Sequence, residues 1–190
     1  MAATKAKGKG KGKAKEWYSL IAPRLFGESE IGRTMASDPD KLAGRRISLS
    51  LIEVANNPSK FYMKFTFKVK KVDGTKAFVD FDGSEILHDY ISRMILRHVR
   101  RIDTVQDLTT KDGVKIRVKG LAIISRRIKS SIAGKIRNQI REMMKEGVEN
   151  SSFEDFVEKI MTDEIKMTIL RTARRTYPVR NFEIRKTEIL

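Results

Sequence analysis

Forty lysines and arginines, 24 acids and only two histidines define the chemistry open to this chain of 190 residues. With no cysteine, disulfides, thiolate zinc sites, iron–sulfur clusters and cysteine nucleophiles are excluded together. His88 and His98 lie ten residues apart, so a metal would need several carboxylates arriving from elsewhere. His88 sits beside Asp89, but no nucleophile lies near the pair, and it reads as an exposed helix histidine. Asp80-Phe81-Asp82-Gly83-Ser84-Glu85 resembles the opening of a calcium loop. Its glycine comes two residues early, and the loop's twelfth position would be Ile91 where a bidentate glutamate is needed. A turn and helix cap is the reading there, with a magnesium nuclease built on Asp80, Asp82 and Glu85 as its rival. No hydrolase elbow, zincin or dinucleotide-binding pattern occurs. The expectation is a protein that is not an enzyme and takes no metal and no cofactor.

The cations carry more information. Net charge is +16, which calls for a polyanionic partner. Residues 1–15 contribute six of these charges through Lys5, Lys7, Lys9, Lys11, Lys13 and Lys15, set among Ala and Gly with no acid. That composition has nothing to bury and predicts a disordered basic arm. Residues 93–145 hold fifteen lysines and arginines against Asp103, Asp107, Asp112 and Glu142, leaving the rest of the chain near neutral. Charge that serves solubility is dispersed with mixed signs, whereas charge that binds phosphates is concentrated. The candidate RNA-binding residues are therefore the six arm lysines with Arg100, Arg101, Arg126, Arg127, Lys129, Lys135, Arg137 and Arg141. Trp17 and Tyr18 stand at the start of the buryable sequence and are read as core rather than as base-stacking residues. No run approaches the roughly 18 apolar residues of a membrane-spanning helix, and the N-terminus lacks an apolar signal core, so a cytoplasmic location and no membrane partner are expected.

Alternation and helical spacing supply the elements that must hold these cations. After an irregular stretch from Ala22 to Asp40, read as an extended loop with short strands, Arg45 to Leu51 alternates as a half-buried strand, and Asn56-Asn57-Pro58 turns the chain. Phe61, Met63, Phe65, Phe67 and Val69 form the strongest strand pattern, closed by a Val72-Asp73-Gly74 loop that sets Phe65 opposite Phe81. A helix is expected from Ser84, its cap, to about Val99. A second hairpin turning at Lys111-Asp112-Gly113 pairs Leu108 with Ile116 and Asp107 with Arg117. Ile128, Ile132, Ile136, Ile140 and Met144 mark a helix ended by Gly147. Ser151 and Ser152 then cap a helix with Phe153, Phe156, Val157 and Ile160 inward, another helix runs from about Asp163 to before Pro178, and Phe182–Ile189 closes as a strand. The fold class is α+β: an antiparallel sheet, open or barrel-like, in the N-terminal and middle parts, with C-terminal helices. The expected organisation is the arm, 1–15, followed by one RNA-binding domain, 16–190.

Several blocks, in order, resemble one family. Lys15-Glu16-Trp17-Tyr18 followed by Ala22-Pro23 and Phe26, then Ile31-Gly32-Arg33-Thr34, Gly44-Arg45 before Ser48-Leu49, Lys64-Phe65, Gln139-Ile140-Arg141 with Met143-Met144, and Tyr177-Pro178 with Ile184-Arg185-Lys186 are similar to the ribosomal S-three-a family of archaea and eukaryotes. This is the family of eukaryotic-type small-subunit ribosomal protein one. The chain stops soon after Lys186 where eukaryotic members extend further, which suggests an archaeal member. The resemblance implies a structural constituent of the small ribosomal subunit that binds small-subunit ribosomal RNA. Its place would be the platform, near the 3′ end of that RNA and the messenger exit, with neighbouring platform proteins and messenger RNA close by and no obligate homo-oligomer. The alternative is a free RNA-binding translation factor or RNA chaperone.

Overall fold

The computed structural model describes residues 14–55 and 58–190, so Lys5, Lys7, Lys9, Lys11 and Lys13 of the arm, and the Asn56-Asn57 part of the turn, lie outside the described residues. The class is α+β, with eight mainly antiparallel strands and five α-helices among the described residues; the three long helices come after the seventh strand. Two compact units form. One takes the residues up to Ile47 together with Lys68–Asp80, the other Ser48–Phe67 together with Phe81–Leu190.

In the first unit, β1 (Glu16–Ile21) pairs antiparallel with β2 (Glu30–Ala36), Trp17 opposite Met35 and Ser19 opposite Arg33. On its other side β1 runs parallel to the start of β5 (Lys76–Ile86), with Ser19 beside Lys76 and Ile21 beside Phe78. Tyr18, Leu20 and Ala22 point inward onto Ile31, Leu42, Val69, Ala77 and Val79, all buried. Strand β2 is one of the short strands expected in this stretch, whose period Pro23, Gly27, Gly32 and Pro39 interrupt. Pairing with β1 organises it, and Arg45 fastens it by donating to Thr34 Oγ1 at 2.9 Å and to the Met35 carbonyl at 3.0 Å.

Strand β4 (Met63–Asp73) runs one residue beyond the expected loop start, so Gly74-Thr75, not Val72-Asp73-Gly74, joins it to β5. Gly74 does take the left-handed conformation, φ 55°. Consecutive exposed Lys70 and Lys71 break the alternation near the turn. In the turn just before β4 the expected faces are reversed: Phe61 is 55% exposed and Tyr62 7%. Tyr62 instead stacks on Tyr90, with centroids 3.9 Å apart and rings 7° from parallel. Strand β3 (Arg46–Ser50) and a short helix α1 (Leu51–Ala55) precede it.

The second unit is built on β6 (Arg100–Thr109), β7 (Lys115–Ile124) and β8 (Val179–Ile189), all antiparallel, with β8 continuing onto the end of β5 at Glu85–Lys186. The β6–β7 register is the expected one, Leu108 opposite Ile116 and Asp107 opposite Arg117, with Gly113 at φ 78° in the turn. In neither unit do the strands close on themselves, so the barrel option is corrected to an open sheet, and β1 with β5 adds one parallel pair. Phe65, Phe67 and Phe81 meet edge to face, Phe65 and Phe81 at 5.2 Å. Leu121, Ala122, Ile123 and Ile124 are all buried, as befits an interior strand covered on both faces.

The helix expected from Ser84 shrinks to α2 (His88–Met94), because β5 continues through Ile86. Ser84 is a buried strand residue whose N–H donates to Thr187 Oγ1 at 2.9 Å, a partner 103 residues away that no local pattern announces. The turn and cap read at Asp80–Glu85 is thus part of a strand. Helix α3 (Ser130–Glu149) buries Ile136, Ile140, Met144 and Val148 and runs through Gly147 rather than stopping there. Helix α4 (Phe153–Met161) starts on the expected capping box between Ser152 and Asp155. A Ser152→Ala variant should unfold about 1 kcal/mol more easily in urea; an unchanged midpoint would show the box to be idle. Helix α5 (Glu164–Thr176) packs on α3 and β8.

Candidate nucleic-acid interface

Ion pairing decides which cations remain available to a polyanion, and several on the sheet are committed to acids. Arg117 donates to both carboxylate oxygens of Asp107 at 2.6 and 2.7 Å, which holds the Asp107 carboxyl below its usual range. Arg101 is held by Asp103 at 2.8 Å. Lys119 and Lys186 both bond Glu188 at 2.9 Å, and their hydrogen bonds lower its carboxyl to about 2. This depressed acid stabilises the fold fully above its unfolded value near 4.5, and the contribution disappears as pH falls through about 2. An NMR pH titration should find the Glu188 midpoint near 2, and a Lys119→Met, Lys186→Met variant should return it toward 4.5.

A group of unpaired cations gathers at the open end of the β6–β7 hairpin and the start of α3. Register places Arg100 opposite Ile124, and the chain leaves β7 there through the exposed Arg126 and Arg127 into Lys129, the N-cap of α3. Helix α3 has no side-chain cap and no acid in its first turn. Its free N–H groups and positive dipole end therefore add to three cations, an arrangement suited to phosphate oxygens. From Lys129, Arg137, Arg141 and Lys145 follow on the side of α3 that faces β6, spanning about 24 Å of helix. Arg141 and Lys145 line an open groove against Val105–Thr109. Arg100, Arg126, Arg127, Lys129, Lys135 and Arg141 make no ion pair among the described residues.

Not every expected site residue joins this band. Lys135 lies on the opposite side of α3 from Arg137. Arg137 is partly committed, its Nε donating to the Asp103 carbonyl at 3.2 Å, and Arg101 is neutralised by Asp103. Lys15 is exposed at the start of the described chain. Lys145, four residues on from Arg141, lies beside this band but is paired with Glu149 at 3.9 Å. Trp17 is not core: it is 60% exposed. Tyr18, Leu20 and Ala22 alternate inward, which is what turns residue 17 outward. Among the described residues no group of three His, Asp or Glu side chains could hold a metal ion, and no helix is long and apolar enough to cross a membrane. Asp80 is bridged to Lys70 at 2.9 Å.

A band of free cations on a non-repetitive α+β scaffold suits many RNA-binding proteins, and sequence comparison separates them. A match to the ribosomal S3Ae family covers residues 3–190. The chain belongs to that family. Its relatives include archaeal proteins named small ribosomal subunit protein eS1. That of Methanopyrus kandleri is 37% identical over 93% of this chain and 85% of its own length. That of Methanothermobacter thermautotrophicus is 39% identical over 93% and 90%, and one from Saccharolobus islandicus 34% over 93% and 85%. The chain is thus an archaeal-type member of a ribosomal protein family, a structural rather than enzymatic class.

Proposed function

We propose that this protein is a structural constituent of the small ribosomal subunit, held on small-subunit ribosomal RNA by its lysine arm and by the α3 band. The observation that carries the reading is the gathering of unpaired Arg100, Arg126, Arg127 and Lys129 around an uncapped helix N-terminus. Arg101, Arg117, Lys119 and Lys186 on the adjoining strands are tied up by acids while this end is left open, a distribution that solubility alone does not call for. The relatives' name supplies the particle. Within it the protein sits on the platform, close to the 3′ end of the RNA and the messenger exit, beside other platform proteins, in the cytoplasm, and it performs no catalysis.

A sucrose-gradient profile of native lysate at low and high salt tests the assignment. Retention at the small-subunit peak through the high-salt wash is expected. Release to the top fractions would make the protein a free translation factor or RNA chaperone. Cross-linking from Arg126 and Arg127 in intact subunits is expected to reach RNA near the 3′ end; cross-links confined to another region would keep the ribosomal assignment and overturn the platform placement.

A further inference from the structure

The outward face of the first unit's sheet is ordered in rows. Cross-strand register puts Trp17 beside Met35, then Ser19 between Arg33 and Lys76, then Ile21 between Glu30 and Phe78. Trp17 is 60% exposed, Met35 45% and Phe78 42%. Two aromatic rows therefore flank one basic row, the rows about 6.6 Å apart along β1 and the outer two about 13 Å apart. Arg33 is bridged to Glu30 at 2.9 Å, and Lys76 makes no ion pair among the described residues.

Exposed aromatics in mid-strand contribute nothing to the unit's own core, and their partner is distinguished by what lies between them. The centre of a protein–protein interface is depleted in charge, whereas here the cations run through the middle of the patch. An unpaired RNA strand fits that order, with sugar-phosphate over Arg33 and Lys76 and bases on Trp17 and Phe78. The approach of the chain agrees. Lys15 stands two residues before Trp17, so a lysine arm lying along phosphates delivers RNA to this face.

We propose that this face is a second RNA contact of a different kind, which stacks unpaired bases on Trp17 and Phe78 while the α3 band grips phosphates. The inference rests on the RNA-binding reading above and deepens it by naming single-stranded RNA as the ligand of a surface that reading does not use.

Trp17 is the chain's one tryptophan, so the contact reports on itself. Titrating the full-length protein with a short oligouridylate is expected to quench Trp17 fluorescence in step with the anisotropy of a labelled copy of that RNA. An A-form duplex of equal length should bind with little quenching. Trp17→Ala and Phe78→Ala should each weaken oligouridylate binding roughly five- to hundredfold, Trp17→Phe should retain most of the affinity, and duplex binding should be little changed. Both positions are exposed, and circular dichroism verifies that the variants fold. If the labelled RNA binds while Trp17 fluorescence stays constant, or if duplex quenches equally, the stacking contact is overturned and the phosphate band stands. If neither RNA binds, the RNA-binding reading falls and this one with it. Concentration-dependent self-association abolished by Trp17→Ala would assign the face to a second copy instead and also overturn the proposal.

Discussion

A Lys166→Met variant is expected to lose about 3–5 kcal/mol of folding stability at neutral pH, read from urea or thermal unfolding. Lys166 Nζ lies 2.6 Å from Glu183 Oε1, the two side chains being 16% and 2% exposed. Asn181 adds a bond to the same oxygen at 3.2 Å. Burial pushes the Glu183 carboxyl up, partly countered by the bond and charge of Lys166. For Lys166 burial works to lower the ammonium, but the bond and charge of Glu183 outweigh it and the net displacement is upward. Removing the ammonium leaves a buried carboxylate with the Asn181 amide as its remaining hydrogen-bond partner and the like charge of Asp163 acting on it. The sign of the pH dependence follows. With its folded pKa raised further, Glu183 binds a proton in the folded state that the unfolded chain has released, so stability falls as pH rises. The deficit relative to the parent should therefore shrink by up to about 1.4 kcal/mol per unit as pH is lowered from 7 toward 5. A pH-independent deficit would mean that the carboxylate finds water or another partner. Replacing both partners with apolar residues should recover much of the loss, since breaking such a pair costs more than omitting it.

The second large effect concerns RNA. Replacing Lys5, Lys7, Lys9, Lys11, Lys13 and Lys15 with glutamine should flatten the plot of log affinity against log salt by about 4–5 and lower affinity by roughly four orders of magnitude near 0.15 M salt, if all six neutralise phosphates. Filter binding across a salt series measures both. A slope unchanged by the substitution would remove the arm from the interface. Charge reversal of Arg126 and Arg127 should weaken binding to all sequences alike, because phosphate contacts carry no sequence information. Reversal of Arg137 should do less, since its Nε already serves the Asp103 carbonyl.

Legibility in the sequence followed the range of the interactions. The β6–β7 hairpin, the capping box at Ser152, α5 and β8 are specified by contacts a few residues apart or by one clean period, and they stand where that pattern puts them. Segments whose conformation depends on distant partners departed from expectation. Ser84 has a helix-cap residue's chemistry but meets Thr187 in a sheet, and Tyr62 turns inward to stack on Tyr90. Of the site, the choice of residue types and the basic stretch from Arg100 to Lys145 were readable. Which cations stay unpaired was not, because Lys119 and Lys186 are neutralised by one acid, Glu188, that sits beside them only after β7 and β8 pair.

The sequence by itself determined the concentrated basic charge and the α+β class, which rest on composition, local period and short-range turn chemistry, and the family, which rests on the ordered blocks from Lys15-Glu16-Trp17-Tyr18 to Ile184-Arg185-Lys186. Only the tertiary structure decided that the sheet is open, that Trp17 faces solvent across from Met35, and that free arginines converge on an uncapped helix end. These depend on strand register and on pairing between residues tens of positions apart, which the chain specifies only through the summed burial of its whole core.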